Sequence, residues 1–318
     1  MSLLIAWNIG KYLYIKNHAV ITENYLKLKI ESNYRRKLAA NQKGVIEKTA
    51  NGKTIYKYSY TIDKFGRRVT PVKNEKERNK AVLFFVDSFM FGQGVNDNET
   101  LPYYCAELMP DTMPYNCASP GLDTHDLLED LRDERTRDGI KKSRDYACIY
   151  LFIDDHVQRV INLPKIDGTA PCYYIDKKGM LKNGRNLFWG NPVTAYIISK
   201  LSRSRFSNFI VYSCIYSKGN EKDIYLISRM IEESKNCFKE KFGSDKFIVL
   251  FWPGSKYASV MIPYFNMAGI KYIDYHNLEK FNDNNNGYNF PVDLHPTKIA
   301  YKNMAELLVK DIRKYIGN

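Results

Sequence analysis

The chain has 318 residues, 44% of them hydrophobic and 14% aromatic. That is enough apolar material for one large domain with or without an appendage, and it excludes a disordered chain. Lys+Arg number 48 against 35 Asp+Glu, a formal charge of +13. Such an excess suits an anionic surface, but the bases are spread along the chain among acids and no nucleic-acid-binding motif accompanies them, so no nucleic-acid partner is expected. The six cysteines stand far apart with no Cys-x-x-Cys pair, so no metal site is expected and no cofactor is implied.

The first stretch, MSLLIAWNIGKYLYIKNHAV, is too short to span a bilayer and is interrupted by Asn8 and Lys11. It lacks the basic start and small-residue cleavage site of a signal peptide. It reads either as an amphipathic first helix or as the stub of a membrane anchor. The second reading implies membrane proximity and a place in the cell envelope rather than the cytoplasm. Residues 1–79 as a whole read as a basic N-terminal helix and hairpin segment. Within them, TIYKYSYTIDKFGRRVTPV at 54–72 alternates like strands around a turn at Asp63–Gly66. YYIDKKGMLKNGR at 173–185 repeats the pattern Y-x-I-D-K-x-G, and both are predicted hairpins.

From residue 80 onward apolar strands alternate with helical patterns. Strands are predicted at 81–86, 114–118, 146–153, 208–214, 246–252 and 271–274. Helices are predicted at 100–109, 123–135, 191–202, 221–241, 256–268 and 297–315, the last opened by Pro296. Continuous apolar runs such as YACIYLFI suggest parallel strands covered on both faces. The expectation is a three-layer α/β/α sandwich with a mainly parallel, flavodoxin-like sheet over 80–318, with an inserted loop or hairpin at about 157–190. Ligands of such sheets bind beyond the carboxyl ends of the strands.

Ser88 stands at one such end, in VLFFVDSFMFGQGV at 82–95. A serine hydroxyl becomes a nucleophile when a base takes its proton, and Gly92 and Gly94 permit the tight turn that would expose it. The same Asp-Ser also reads as a helix cap. Near the other end, FPVDLHPTKIAYKNMAELLVKDI places Asp293 and His295 just before an amphipathic helix. An imidazole can accept the serine proton, and a carboxylate can orient it and stabilise its cation. With one residue between them, Asp293 and His295 can reach one pocket from one loop.

The blocks DSFMFGQGVNDNETLPYYCAEL, YNCASPGLDTHDLL and VDLHPTKIAYKNMAELL resemble those of the SGNH/GDSL hydrolases, over about residues 80–316. The resemblance implies a serine esterase or O-acyltransferase with Ser88 as nucleophile, His295 as base and Asp293 as its orienter. It implies an oxyanion held by the amides of Ser88 and Gly121. Three departures stand out. Val86 replaces a glycine, one residue rather than two separates Asp293 from His295, and the third block has no Asn. There the chain reads YLFIDDHVQR, and His156 is the candidate substitute donor. The Asp154–Asp155–His156 run also reads as a loop ion-paired to Arg159, or as part of a metal site without further ligands in view.

The expected chemistry is cleavage of a short acyl ester on a small molecule or glycan, with hydrolysis ahead of transfer to a second hydroxyl. The alternative is a weak or inactive glycan-binding relative.

Overall fold

The structure is a computed structural model and describes residues 19–22, 28–30, 36–50, 52–166, 172–184, 219–281 and 286–316. The described residues open on five strands, β1 (Ala19–Thr22), β2 (Leu28–Ile30), β3 (Arg36–Leu38), β4 (Lys43–Ala50) and β5 (Lys53–Thr61). All five pair antiparallel, in the order β1-β4-β5 and, separately, β2-β3. The predicted first helix and the membrane-anchor reading rest on residues 1–20, of which 1–18 lie outside the described residues and 19–20 belong to β1. Among those described, no helix is long and apolar enough to cross a membrane.

The hairpin predicted at 54–72 differs in its pairing. β5 pairs upstream with β4, and only the isolated bridge Ile62–Arg68 spans the Asp63–Gly66 turn. The local turn is nonetheless the one its sequence specifies. Asp63 Oδ1 accepts from the amides of Phe65 and Arg67, and Gly66 takes φ +76°. The echo at 176–179 builds the same turn, with Asp176 Oδ1 accepting from Lys178 and Met180 and Gly179 at φ +74°. An aspartate that mimics a backbone acceptor, followed by a left-handed glycine, suffices to make it. There it joins β9 (Tyr173–Ile175) to β10 (Leu181–Asn183) in the predicted antiparallel hairpin.

The central sheet comprises β6 (Lys80–Phe85), β7 (Thr112–Asn116), β8 (Asp145–Phe152), β11 (Phe247–Phe251) and β12 (Lys271–Asp274), in the order β12-β11-β8-β6-β7 with every pairing parallel. Counted within the sheet this is the flavodoxin-like order 2-1-3-4-5. The crevice where that order reverses lies between β6 and β8. Strand side chains alternate between two cores. Val82, Phe84, Ile149, Leu151 and Leu250 face one; Leu83, Phe85, Cys148, Phe152 and Phe251 face the other.

The first core is closed by α2 (Leu101–Leu108) and α7 (Lys298–Ile316). The second is closed by α3 (Thr124–Arg132), α4 (Asp154–Ile166), α5 (Glu221–Phe242) and α6 (Ala258–Ala268). Tyr56, Tyr58 and Tyr60 of β5 belong to the first core, so the N-terminal strands pack into the domain. Arg68, fully buried, stitches them to the segment after Ser88. It donates to the carbonyls of Phe91 (2.9 Å), Gly92 (2.7 Å) and Val95 (2.7 Å), and to Asp97 (2.9 Å). Of the expected 157–190 insertion, the described residues hold the end of helix α4 and the β9–β10 hairpin. The strand predicted at 208–214 and the helix at 191–202 lie outside the described residues.

Candidate active site

Strand β6 is buried along all its length and ends at Phe85. Val86, where a glycine was expected from the resemblance, is 1% exposed and fits within the second core. Asp87 then caps α1 (Ser88–Phe91), its Oδ1 accepting from the amides of Phe89 (3.0 Å) and Met90 (3.4 Å). Such a cap is worth about 1 kcal/mol, and it leaves the Ser88 amide at the open start of the helix. Gly94 has a steric reason as well as a conformational one. At φ +96° a Cβ there would lie 2.5 Å from the Phe290 ring, so glycine lets the serine loop and the histidine loop close on each other.

Residues 288–297 fold back as a tight hairpin. The Phe290 amide donates to the His295 carbonyl (2.9 Å), Leu294 to Phe290 (2.9 Å) and Thr297 to Tyr288 (2.8 Å). Val292 and Leu294 take φ +68° and +65°, conformations that cost non-glycine residues roughly 1–2 kcal/mol each. Held so, the two residues between which they alternate, Asp293 and His295, share one pocket. His295 Nδ1 is bonded to Asp293 Oδ1 and its Nε2 lies 2.8 Å from Ser88 Oγ. Pro296 takes part in a bridge with Asn289, and α7 begins two residues later.

Asp293 is nearly enclosed, its side chain 2% exposed. Burial alone would push its carboxyl up. The hydrogen bond and charge of His295, and then those of Lys48, outweigh burial and hold it at about 2. Lys48 comes from β4 and pairs with Asp293 Oδ2. Sequence reasoning missed it, and no local signal could have marked one lysine among so many as the partner of a carboxylate so distant in the chain. The Phe89 ring packs on His295 (5.2 Å between centroids) and on Trp252 (5.7 Å).

Ser88 and His295 open onto a cleft of about 450 Å³ lined also by Asp154, Asp155, Arg159, Trp252, Ser255 and Asn289. It lies beyond the carboxyl ends of β6 and β8, at the sheet's reversal point.

His156 is not in that cleft. The expectation that it supplies an oxyanion donor is corrected by its position in the first turn of α4, where it is fully buried behind the nucleophile. Its Nδ1 is 3.0 Å from the Tyr150 hydroxyl, which is 2.7 Å from Thr124 Oγ1. Its Nε2 approaches Asp87 Oδ2 at 3.2 Å, too poorly aligned for a good hydrogen bond. Burial would push the Asp87 carboxyl up; His156, then Arg159 and the Phe89 amide, bring it below its usual range. The helix explains the placement. Asp154 turns outward to accept from Ser255 Oγ (3.0 Å) and the Lys256 amide (3.0 Å), which sends His156, two residues on, toward the interior.

Arg159 binds the Leu122 carbonyl (2.8 Å) and approaches Asp87 and Asp155, each at 3.6 Å. Gly121 is exposed at φ +82° in the turn just before Leu122, a turn anchored by the Ser119 amide on the Val86 carbonyl (2.8 Å). That turn is thereby tied to the strand end bearing Ser88, although Gly121 is not among the residues lining the cleft. Among the described residues no group of three His, Cys, Asp or Glu side chains could hold a metal ion.

No family model matches this chain, and no curated protein sequence does. Among solved structures it is similar to a member of the lipolytic protein G-D-S-L family from Veillonella parvula DSM 2008, at 13% identity and a TM-score of 0.39, over 73% of this chain and 97% of that one. It is similar to a lipase/acylhydrolase from Enterococcus faecalis at 12% identity and a TM-score of 0.41, over 74% and 97% of the two chains. An acetyl xylan esterase from the rumen bacterium Butyrivibrio proteoclasticus is similar at 12% identity and a TM-score of 0.42, over 85% of this chain and 68% of that one. What the site can do follows from its own side chains.

Proposed function

We propose that the protein is a serine hydrolase that cleaves a short acyl ester, with a carbohydrate as the acyl-bearing group. The observation that carries this reading is His295, placed between Ser88 Oγ and Asp293 at the mouth of an open cleft. In the tautomer this geometry favours, Nδ1–H donates to Asp293 and Nε2 accepts the Ser88 proton. Ser88 Oγ then attacks the ester carbonyl. The tetrahedral oxyanion is held by the Ser88 amide at the open start of α1; the Gly121 amide serves as second donor only if its turn, tied to the Val86 carbonyl through Ser119, swings toward the cleft. His295 returns the proton to the leaving alkoxide. A water activated by the same imidazole releases the acid and frees Ser88.

The cleft offers hydrogen-bonding side chains (Asp154, Asp155, Ser255, Asn289) beside the Trp252 ring, a lining suited to a polyhydroxylated substrate. Its openness to solvent favours water over a sugar hydroxyl as the acceptor, hence esterase over O-acyltransferase.

A fluorophosphonate probe tests the reading. Covalent labelling of the wild type at Ser88, absent in Ser88→Ala, is the expected result. An unlabelled wild type would favour a non-catalytic glycan binder, and a glycan array would then be the next measurement.

A further inference from the structure

On the reading of Ser88, His295 and Asp293 as one catalytic array, a strand outside the parallel sheet takes part in it. Lys48 lies on β4, and its ammonium pairs with Asp293 Oδ2, while His295 holds Oδ1. The lysine side chain is 17% exposed and the carboxylate 2%, so solvent and salt screen the pair weakly. Lys48 and Tyr56 are directly opposed across β4 and β5 and therefore share a face. The register shifts between Lys48 and Thr49, an irregularity of the kind that re-aims a side chain.

Tyr56 makes the same journey from the neighbouring strand. Its ring packs edge-on against Phe290 at 5.2 Å, and its hydroxyl accepts from Gln93 Nε2 at 3.0 Å. The β4–β5 hairpin thus touches both the loop that carries Asp293 and His295 and the loop that follows Ser88. We propose that Lys48 is a positioning residue of this active site. It fixes the Asp293 carboxylate for His295 and offsets part of its charge, so that the imidazole gives up its proton at a lower pH than it would beside Asp293 alone.

The titratable and charged groups around Asp293 and His295 are Lys48 from β4, Tyr56 and Tyr58 from β5, Ser88 from α1 and Tyr301 from α7, with Asp154, Asp155 and Arg159 elsewhere on the cleft wall. Burial first, and the Asp293 charge in addition, push the three phenols up, so they stay neutral across the working range. Lys48 is the cation paired with Asp293 among the described residues. Its removal leaves the full carboxylate charge acting on the imidazolium. The protonated form of His295 is then favoured, and the free base appears only at higher pH. A unit charge a few ångströms away in a partly buried site is worth about one pH unit of such displacement.

The test is the rate of fluorophosphonate labelling of the full chain between pH 5 and 9, for wild type, Lys48→Met and Lys48→Arg. Lys48→Met should move the acid limb up by about one pH unit, slowing labelling at the foot of that limb about 10-fold while the alkaline plateau falls much less. Lys48→Arg should return the limb toward wild type. Titration of the ¹⁵N-labelled His295 imidazole in a Ser88→Ala background, with and without Lys48→Met, reads the same displacement independently of turnover. A limb that stays in place while the whole profile drops would overturn the proposal and make Lys48 a structural tie. A wild type that labels at Ser88 with no displacement in Lys48→Met sinks the lysine alone. A wild type that never labels sinks the catalytic reading and the lysine with it. Should Lys48→Met not fold, Lys48→Gln in the imidazole titration decides between the same outcomes.

Discussion

Two aspartate–histidine pairs flank Ser88, and they differ in where they sit. Asp293 and His295 come from a strained hairpin at the cleft, with the imidazole 2.8 Å from the serine oxygen. Asp87 and His156 lie behind the serine, both fully buried, at the start of two helices that follow neighbouring strands. The chemical pair is the same. The first histidine keeps one nitrogen facing the Ser88 hydroxyl at the cleft. The second has Nδ1 on the Tyr150 hydroxyl, which continues to Thr124, and Nε2 facing the buried Asp87 carboxylate at 3.2 Å. The difference teaches that an imidazole beside a carboxylate becomes a base only where its other nitrogen meets a substrate or nucleophile. Otherwise it fixes a buried charge in place.

The comparison breaks most visibly through the histidines themselves. His295→Ala should lower kcat on a small aryl acetate by on the order of 10⁴-fold or more, because serine and base act as one unit. Equal losses in His295→Ala and His156→Ala, measured by steady-state kinetics, would erase the distinction between the pairs.

Asp293→Asn should cost somewhat less, about 10³–10⁴-fold in kcat. It also carries a signature in stability. Asp293 is held at about 2, below its unfolded value, so its contribution is present above about pH 4 and is lost as pH falls through about 2. Denaturant titrations should therefore show a gap of order 2 kcal/mol between wild type and Asp293→Asn at pH 6, closing near pH 2. A gap that did not depend on pH would remove the charge from the account.

The smallest catalytic effect belongs to His156→Ala. It should lower kcat about 10-fold or less, through a loosened Asp87 and serine turn, while unfolding free energy drops by roughly 2–4 kcal/mol as Asp87 loses its partner. Wild-type stability in that variant would show that Arg159 alone suffices for Asp87.

Much of this arrangement was legible in the chain. The inner parallel strands were readable because a strand covered on both faces must be apolar along its buried length, as 81–85 and 146–152 are. The Asp63 and Asp176 turns were readable because their hydrogen bonds close within four residues. Ser88, Asp293 and His295 could be singled out because the first closely follows a strand end and the other two share a short loop, a local constraint at each end of the chain. The helix over 154–166 escaped notice because Asp154-Asp155-His156 reads as polar loop until Ser255 and Lys256 are seen to take the first aspartate.

What only the tertiary structure decided is the direction and company of single side chains. Nothing in YLFIDDHVQR says that His156 turns inward to Asp87, since that depends on where α4 starts relative to β6. Nothing in the N-terminal strands says that Lys48 meets Asp293. Periodicity reports which face of an element is buried, and it does so through many residues at once. A single ion pair between distant segments leaves no periodic trace, because it is set by how strands and loops dock after the pattern has already been satisfied.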